Sequence, residues 1–300
     1  MIMSNNLFAT VLTYVAPSSN YRGESESNRT VIQKISKNNK EYAVISPESI
    51  RNALREVIAA KGLNCNRTRL HDEDQLAVEF KDFPNAELYA DDFFFGYMVA
   101  DPKEMKKLGR PAKRDSVLRM NMAVALSAYK FDTTFHQSPK NAGESKWKNA
   151  DNSQLLHKEV SCTAYQYPFA ISLDECLRHS NGSKWTATLL ESIGELASVA
   201  GGHARSFYEM SPRSIVARVT PSLVAGFNTY GFDETGNFGE LNRIRELDLP
   251  GREFWIGGEL VRSMSSDERD RLKNAGVHMF ENSQLLLKGI ADQHLLVGAR

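Results

Sequence analysis

Only three cysteines are present, Cys65, Cys162 and Cys176, an odd number set far apart without Cys-x-x-Cys spacing. That excludes a disulfide framework and a structural zinc site, and leaves three passive reduced thiols. No apolar run approaches the roughly 20 residues needed to span a bilayer, and residues 1–15 alternate polar and apolar rather than showing a basic-then-apolar signal. The expectation is a cytoplasmic protein with no membrane partner. Asn28-Arg29-Thr30 and Asn66-Arg67-Thr68 fit the glycosylation pattern, but without a secretory signal they read as chance matches.

Catalytic signatures are missing too. The chain has no His-Glu-x-x-His, no His-x-Glu with a downstream Cys-x-x-Cys and no Gly-x-Ser-x-Gly element. His136, His157 and His203 offer a general base, yet none stands in a triad or at metal-ligand spacing. No residue is given a catalytic role, and no cofactor or metal is expected. Asp91-Asp92 lacks a third ligand in view and reads as surface charge rather than a magnesium site.

Net charge is the last absence. The 37 basic residues balance 37 acidic ones, whereas nucleic-acid proteins usually carry a basic excess, so any polyanion site here must be local. The distribution is uneven. Asp72, Glu73, Asp74, Glu79, Asp82, Glu87, Asp91 and Asp92 crowd one stretch, and Lys103, Lys106, Lys107, Arg110, Lys113, Arg114 and Arg119 crowd the next. An acidic module beside a basic one suits head-to-tail stacking of identical subunits around a polyanion; a solvated surface is the plainer alternative.

What is present is a folded chain: 300 residues, 41% of them hydrophobic, can bury a proper core. Residues 7–15 and 30–35 read as strands, residues 62–109 as an inserted subdomain and residues 138–153 as a polar stretch that orders on a partner. Residues 159–173 resume strand character with Tyr165, Tyr167 and Phe169 on one face. Residues 184–200 read as a helix by the spacing of Leu189, Leu190, Ile193 and Leu196, ended by Gly201-Gly202. Residues 214–219 form another strand, residues 265–275 a helix stopped by Gly276, and a final apolar stretch follows. This order predicts an α+β sandwich with a long insertion after its first helix.

The most informative segment runs from Tyr42 to Arg55. A short strand leads into a helix with Ser46 as N-cap and Pro47 in the first turn, so that the amides of Glu48 and Ser49 point outward. Such amides, at the positive end of the helix dipole, receive phosphate. Ile50, Leu54, Val57 and Ile58 follow helical spacing, which turns Arg51 and Arg55 onto a solvent-facing stripe. A well-capped surface helix with no ligand is the alternative. Gly201-Gly202-His203-Ala204-Arg205-Ser206 adds a weaker anion motif; its spacing and element order match neither a Walker loop nor a Rossmann fingerprint.

The Asn20-Tyr21-Arg22-Gly23-Glu24 and Asn28-Arg29-Thr30 elements, the Ile45-Ser46-Pro47-Glu48-Ser49-Ile50-Arg51 helix start and Lys113-Arg114-Asp115-Ser116 together resemble the DevR autoregulator family of the RAMP superfamily. That family forms the repeated backbone subunit of type I CRISPR Cascade complexes, and the likeness is greatest to subtype I-B. It runs from about Leu7 to about Thr220.

The resemblance implies an α+β right-hand shape. An RRM-like, ferredoxin-like palm would occupy residues 1–61 and 159–300, the latter with a C-terminal elaboration. A finger or web insertion would occupy 62–109 and a thumb 110–158. It also implies partners: CRISPR guide RNA, target DNA through the guide, copies of the chain in a helical filament and other Cascade subunits.

The RNA-binding residues implied are Arg22, Arg29, Ser46, Ser49, Arg51, Asn52, Arg55, Tyr97, Met98, Lys113, Arg114, Ser116, Gly201, Gly202, His203 and Arg205. Phe95-Gly96-Tyr97-Met98 is similar to a Phe-Gly-basic-Met finger segment whose methionine wedges near a base, with Tyr97 standing where the family has a basic residue. Residues 93–98 as no more than a small packing core is the competing reading.

The resemblance thus points to a non-catalytic subunit that holds guide phosphates and leaves sequence to base pairing. The alternative is a RAMP-type, metal-independent endoribonuclease that processes guide RNA. Such relatives carry their histidine near the N-terminal strand and helix, whereas the first histidine here is His71. A third reading, autoregulation by DNA binding, lacks a helix-turn-helix with a basic recognition helix.

Overall fold

The computed structural model describes residues 5–26, 29–69, 78–100, 102–137, 155–197, 199 and 209–295. Alternating side chains build the central sheet, which holds nine strands: β1 (Asn6–Leu12), β2 (Lys34–Lys37), β3 (Lys40–Ile45), β4 (Leu118–Met120), β5 (Ala123–Ala125), β6 (Tyr165–Ser172), β7 (Ser214–Thr220), β8 (Phe254–Gly258) and β9 (His278–Phe280). They lie in the order β9-β8-β7-β1-β6-β5-β3-β2, with β4 also on β6. Only β8 and β9 pair in parallel, so the sheet is mixed.

Leu7, Ala9 and Val11 of β1, Tyr165, Tyr167, Phe169 and Ile171 of β6, and Ile215, Ala217 and Val219 of β7 face one side. Helices α1 (Pro47–Ala60), α2 (Gly182–Gly194) and α3 (Ser283–His294) cover that side with Ile50, Leu54 and Ile58, Leu189, Leu190 and Ile193, and Leu286, Leu287 and Ile290. The opposite residues Leu12, Val216, Phe254 and Ile256 form a second core with Phe227, Phe232, Phe238, Leu241, Ile244 and Leu272. The chain after β7 therefore closes the other face. Gln166 fixes this cover: its amide donates to the Phe232 carbonyl and accepts from the Phe232 amide, both at 3.2 Å.

The insertion and the segment after it are shared between sheets. Residues 62–109 hold the hairpin Arg67–Arg69 with Val78–Phe80 and a short helix, Ala90–Phe95, whose three phenylalanines enter the main core. Residues 110–158 give β4 and β5 to the central sheet and Thr133–Gln137 and Leu155–Glu159 to a smaller one. That smaller sheet runs Thr133–Gln137, Leu155–Glu159, Arg29–Ile32, Tyr21–Glu26, with its middle pair parallel. Glu159 clasps it to β2: its carboxylate accepts from Lys34 Nζ at 2.6 Å, from the Ile32 amide at 3.0 Å and from the Tyr129 hydroxyl.

One helix expectation needs correction. α2 stops at Gly194 rather than running to residue 200, because Gln284 Nε2, from the first turn of α3, takes the Gly194 carbonyl at 3.0 Å. Gly201-Gly202 therefore does not end it. The final apolar stretch is helical, capped by Asn282, which accepts from the amides of Gln284 and Leu285. Residues 214–219 are a strand and the helix after Ser265 is present, with Gly276 at φ +88° beyond its end. Among the described residues no helix is long and apolar enough to cross a membrane.

Candidate nucleic-acid interface

The N-terminus of α1 forms as its sequence requires. Ser46 is extended, at φ −67° and ψ 149°, and its Oγ accepts from the Ser49 amide at 3.2 Å while lying 3.0 Å from Ser49 Oγ. One expectation changes here: the cap consumes the Ser49 amide, leaving only that of Glu48 outside it.

The two arginines of α1 part company. Arg55 is 5% exposed, not on a solvent stripe, because the helix Ala90–Phe95 packs along that side of α1. Its Nε donates to Asp91 Oδ2 at 3.1 Å, its Nη1 donates to Asn52 Oδ1 at 2.7 Å, and its guanidinium lies over the Phe95 ring. Asp91 and Asp92 are fully buried, contrary to the surface reading. They sit in the first turn of a helix that continues as Phe93-Phe94-Phe95, so core packing of the rings carries them inward.

Their charges are met from nearby. Asp91 also accepts from the amides of Asn66 at 2.7 Å and Arg67 at 3.0 Å, and Asp92 Oδ2 accepts from Asn66 Nδ2 and the Asn85 amide, each at 2.9 Å. Burial pushes the Asp92 carboxyl above its ordinary range, with those hydrogen bonds opposing. Arg67 Nη2 donates to the Gly96 carbonyl at 2.8 Å, and its Nε lies 3.4 Å from Asp91.

Arg51 is the exception. It is half-buried, and its Nε has no hydrogen-bond partner among the described residues. Burial lowers its guanidinium from the ordinary value, Glu48 opposes that, and the like charge of Arg67 adds to it. An arginine remains charged under these conditions, so a cation without an ion pair among the described residues, offset only in part by Glu48, sits one turn into a helix whose other arginine is committed to Asp91.

A second strip lies beyond the Ala90–Phe95 helix. Gly96 has φ +64°, and a Cβ there would stand 2.4 Å from the Arg114 carbonyl, so only glycine lets the chain turn into the two-residue ladder that pairs Tyr97 with Arg114 and Met98 with Lys113. Ser116 Oγ donates to the Phe95 carbonyl at 2.7 Å. Arg114 lies over the Phe93 ring and donates to Glu175 at 3.1 Å. Tyr97 is buried, and burial raises its hydroxyl. Residues 93–98 thus divide: the phenylalanines are core, while Met98 is 74% exposed.

The structure therefore gathers Ser46, Ser49, Arg51, Asn52 and Arg55 on α1, and Tyr97, Met98, Lys113, Arg114 and Ser116 on the neighbouring ladder. Arg29 does not join them: it belongs to the smaller sheet, over the Phe131 ring and in register with His157. Arg22 lies in the strand Tyr21–Glu26 of that sheet. Gly201, Gly202, His203 and Arg205 lie outside the described residues, as does His71.

His136 and His157 are exposed on the smaller sheet, the first 2.9 Å from Thr134 Oγ1 and the second packed on Phe135. Among the described residues no three acidic, histidine or cysteine side chains gather as a metal site. Arg67 and Asn66, which link the two strips, escaped the sequence reading. The available signal was an Asp-Asp pair opening a wholly apolar helix, which forces buried carboxylates to find cationic partners.

No protein-family model matches the chain. A CRISPR-associated protein Cas7/Cst2/DevR of Myxococcus xanthus (strain DK1622) is 31% identical over 291 residues, spanning 92% of this chain and 94% of that protein. The chain belongs to the Cas7/Cst2/DevR family. A match of that length extends well past Thr220, where the sequence resemblance had faded. Among solved structures, a chain of a CRISPR RNA-guided surveillance complex in a pre-nicking state has the same fold, with a TM-score of 0.62 at 10% identity over 96% of this chain and all of that one. A chain of another CRISPR RNA-guided surveillance complex gives 0.57 at 13% identity, over 96% of this chain and 99% of that one.

Proposed function

We infer that this chain is a non-catalytic backbone subunit of a type I CRISPR Cascade surveillance complex, which polymerises along guide RNA, holds its phosphates and presents kinked segments for pairing with target DNA. The observation that carries this reading is Arg51, a half-buried cation without an ion pair among the described residues beside the capped start of α1, in a Cas7/Cst2/DevR family member. Phosphate there would meet the Glu48 amide, the helix dipole and a guanidinium already crowded by Arg67.

The strand arrangement supports an RRM-like palm. β1 and β6 lie in the middle, β7 beside β1 and β5 beside β6, with α1 and α2 in the two crossovers. Residues 62–109 would serve as finger or web and residues 110–158 as thumb, the latter through its part of the smaller sheet. The other partners would be further copies of the chain and other Cascade subunits, in the cytoplasm.

Co-expression with a CRISPR array and the accompanying subunits, followed by absorbance ratio and sequencing of co-purified RNA, tests the reading. Repeat-flanked guide RNA protected in multiples of a fixed length, and lost on Arg51→Glu, is expected. Nucleic-acid-free protein in the presence of all subunits overturns it.

A further inference from the structure

Leu223 and Leu247 are 85% and 75% exposed, more than any other large apolar side chain among the described residues, and Val224 is exposed beside the first. Arg243 brings them together: its Nη1 donates to the Gly226 carbonyl at 3.1 Å, two residues beyond Val224, and its Nε to Asp248 Oδ2 at 2.6 Å, next to Leu247. An exposed apolar cluster of this kind marks a surface that another molecule covers.

The cluster is held stiffly although it adds nothing to the core. The Ser222 carbonyl accepts from Asn6 Nδ2 at 3.0 Å, the Val224 amide donates to Ser222 Oγ at 3.2 Å and the Ala225 carbonyl accepts from Arg218 Nη1 at 2.7 Å. Leu247 has φ +61°, just past the helix Leu241–Arg245, where glycine is the usual residue. A leucine there strains the backbone while burying little of its side chain.

The surround is acidic. Residues 233–253 hold six carboxylates against three arginines, and Arg243 and Arg245 are already committed to Glu240, Asp248 and Glu268. Glu246, beside Leu247, is exposed and has no ion-pair partner among the described residues. Such a surface repels RNA and suits a basic protein surface with an apolar recess.

The chain carries that recess itself. A groove of about 450 Å³ in the insertion is lined by Phe80, Phe83, Pro84 and Val99, with Lys81 and Asp82 in its wall. Asn66 fixes this wall by accepting from the amides of Lys81 at 2.8 Å and Asp82 at 2.9 Å, and the Asp82 carboxylate is turned to the Phe83 amide at 2.7 Å. The rim is basic: residues 103–113 hold five basic residues against Glu104, and Arg110 donates to the Phe83 carbonyl at 3.4 Å. Neither Arg110 nor Lys113 has an ion-pair partner among the described residues, so an apolar occupant must bring negative charge with it.

The two features lie apart. The groove belongs to the insertion, whose helix Ala90–Phe95 enters the core on the helical side of the central sheet, whereas the leucine cluster belongs to the cover of the opposite face. One copy's cluster therefore meets another copy's groove. Contact between two different patches is head-to-tail, and it repeats from copy to copy instead of ending in a twofold pair.

We propose that Leu223, Val224 and Leu247 of one copy seat in the groove at Phe80 and Phe83 of the next, with Glu246 facing the basic rim. The proposal rests on the reading of the chain as a polymerising backbone subunit and names the surfaces by which the copies meet.

The test places a benzophenone amino acid at position 223 of the full chain, mixes isotopically light and heavy copies on single-stranded RNA long enough for several, and maps photo-crosslinks by mass spectrometry. Crosslinks between light and heavy copies at residues 80–84 are expected. Anisotropy on the same RNA, and on an oligonucleotide short enough for one copy, separates contact between copies from contact with RNA. Leu223→Asp/Leu247→Asp is expected to bind the short RNA as wild type does and the long RNA roughly 10-fold more weakly, with cooperativity lost. Leu247→Gly relieves the positive φ, so it is expected to keep the thermal transition of the wild type while weakening cooperative binding.

Wild-type cooperativity in both variants, or crosslinks that avoid residues 80–84, overturns the contact and leaves the RNA reading standing. Failure of the wild-type chain to bind RNA under any salt condition overturns the RNA reading. The same crosslinking on the concentrated RNA-free chain then decides the contact: light-to-heavy crosslinks at residues 80–84 uphold it and their absence overturns it.

Discussion

Arg55 Nε lies 3.1 Å from Asp91 Oδ2, and neither side chain reaches solvent to any useful extent. This pair sets the character of the helix start: Arg55 is committed to the fold, whereas the Nε of Arg51 has no hydrogen-bond partner among the described residues.

Asp91→Asn is expected to lower stability by about 3–5 kcal/mol, because it leaves the buried Arg55 without its counter-charge. Urea unfolding at neutral pH measures this. Asp92→Asn is expected to be neutral or stabilising in the same assay. The folded-state carboxyl of Asp92 is raised, so its contribution to stability is present at low pH and is lost as pH rises through that raised value. The advantage of the asparagine variant over the wild type therefore grows from acid to neutral pH.

Arg51→Ala should leave the unfolding transition within about 0.5 kcal/mol of wild type, as for a residue without a buried partner. It should weaken single-stranded RNA binding for all sequences alike and reduce the salt slope by about 0.7, the value for one phosphate contact on a single strand. Arg55→Ala shows the reverse signature, with a large loss of stability. Anisotropy titrations across a salt series, paired with thermal melts, separate the two.

Gly96→Ala is expected to cost about 1–3 kcal/mol through the positive φ alone, with the approach of the Arg114 carbonyl adding to it. Hydrogen exchange should rise first in the ladder of Tyr97–Met98 with Lys113–Arg114. Equal protection in variant and wild type would contradict the role given to this glycine.

Thiol chemistry offers a simple check on the core. Burial pushes the Cys65 and Cys176 thiols up to about 12, whereas Cys162 is exposed. A thiol reagent at pH 8 should label one of the three cysteines in the native protein and all three in urea.

Much of the architecture was legible because it depends on local periodicity. The alternation of β1, β6 and β7 and the Ser46 cap can be read directly from side-chain order. What was hidden depends on which elements meet. Nothing near Arg55 in the chain says that Asp91 will lie against it, and Arg51 and Arg55 look alike at helical spacing until the Ala90–Phe95 helix covers one of them. The end of α2 was misplaced for the same reason, since Gln284, 90 positions away, takes the Gly194 carbonyl. Arg67 is hidden likewise, since it meets Asp91 24 positions further on.

The smaller sheet has a consequence for how the chain acquires its shape. Its middle strands, Arg29–Ile32 and Leu155–Glu159, run in parallel, and the Ile32 amide meets a carboxylate 127 positions further on. During synthesis the hairpin formed by Tyr21–Glu26 and Arg29–Ile32 leaves the ribosome long before its neighbour exists, and its open edge must wait. Pairing across so long a loop cannot begin until the chain has been made past Glu159, so the Glu159 clasp closes this sheet well after its N-terminal hairpin can form.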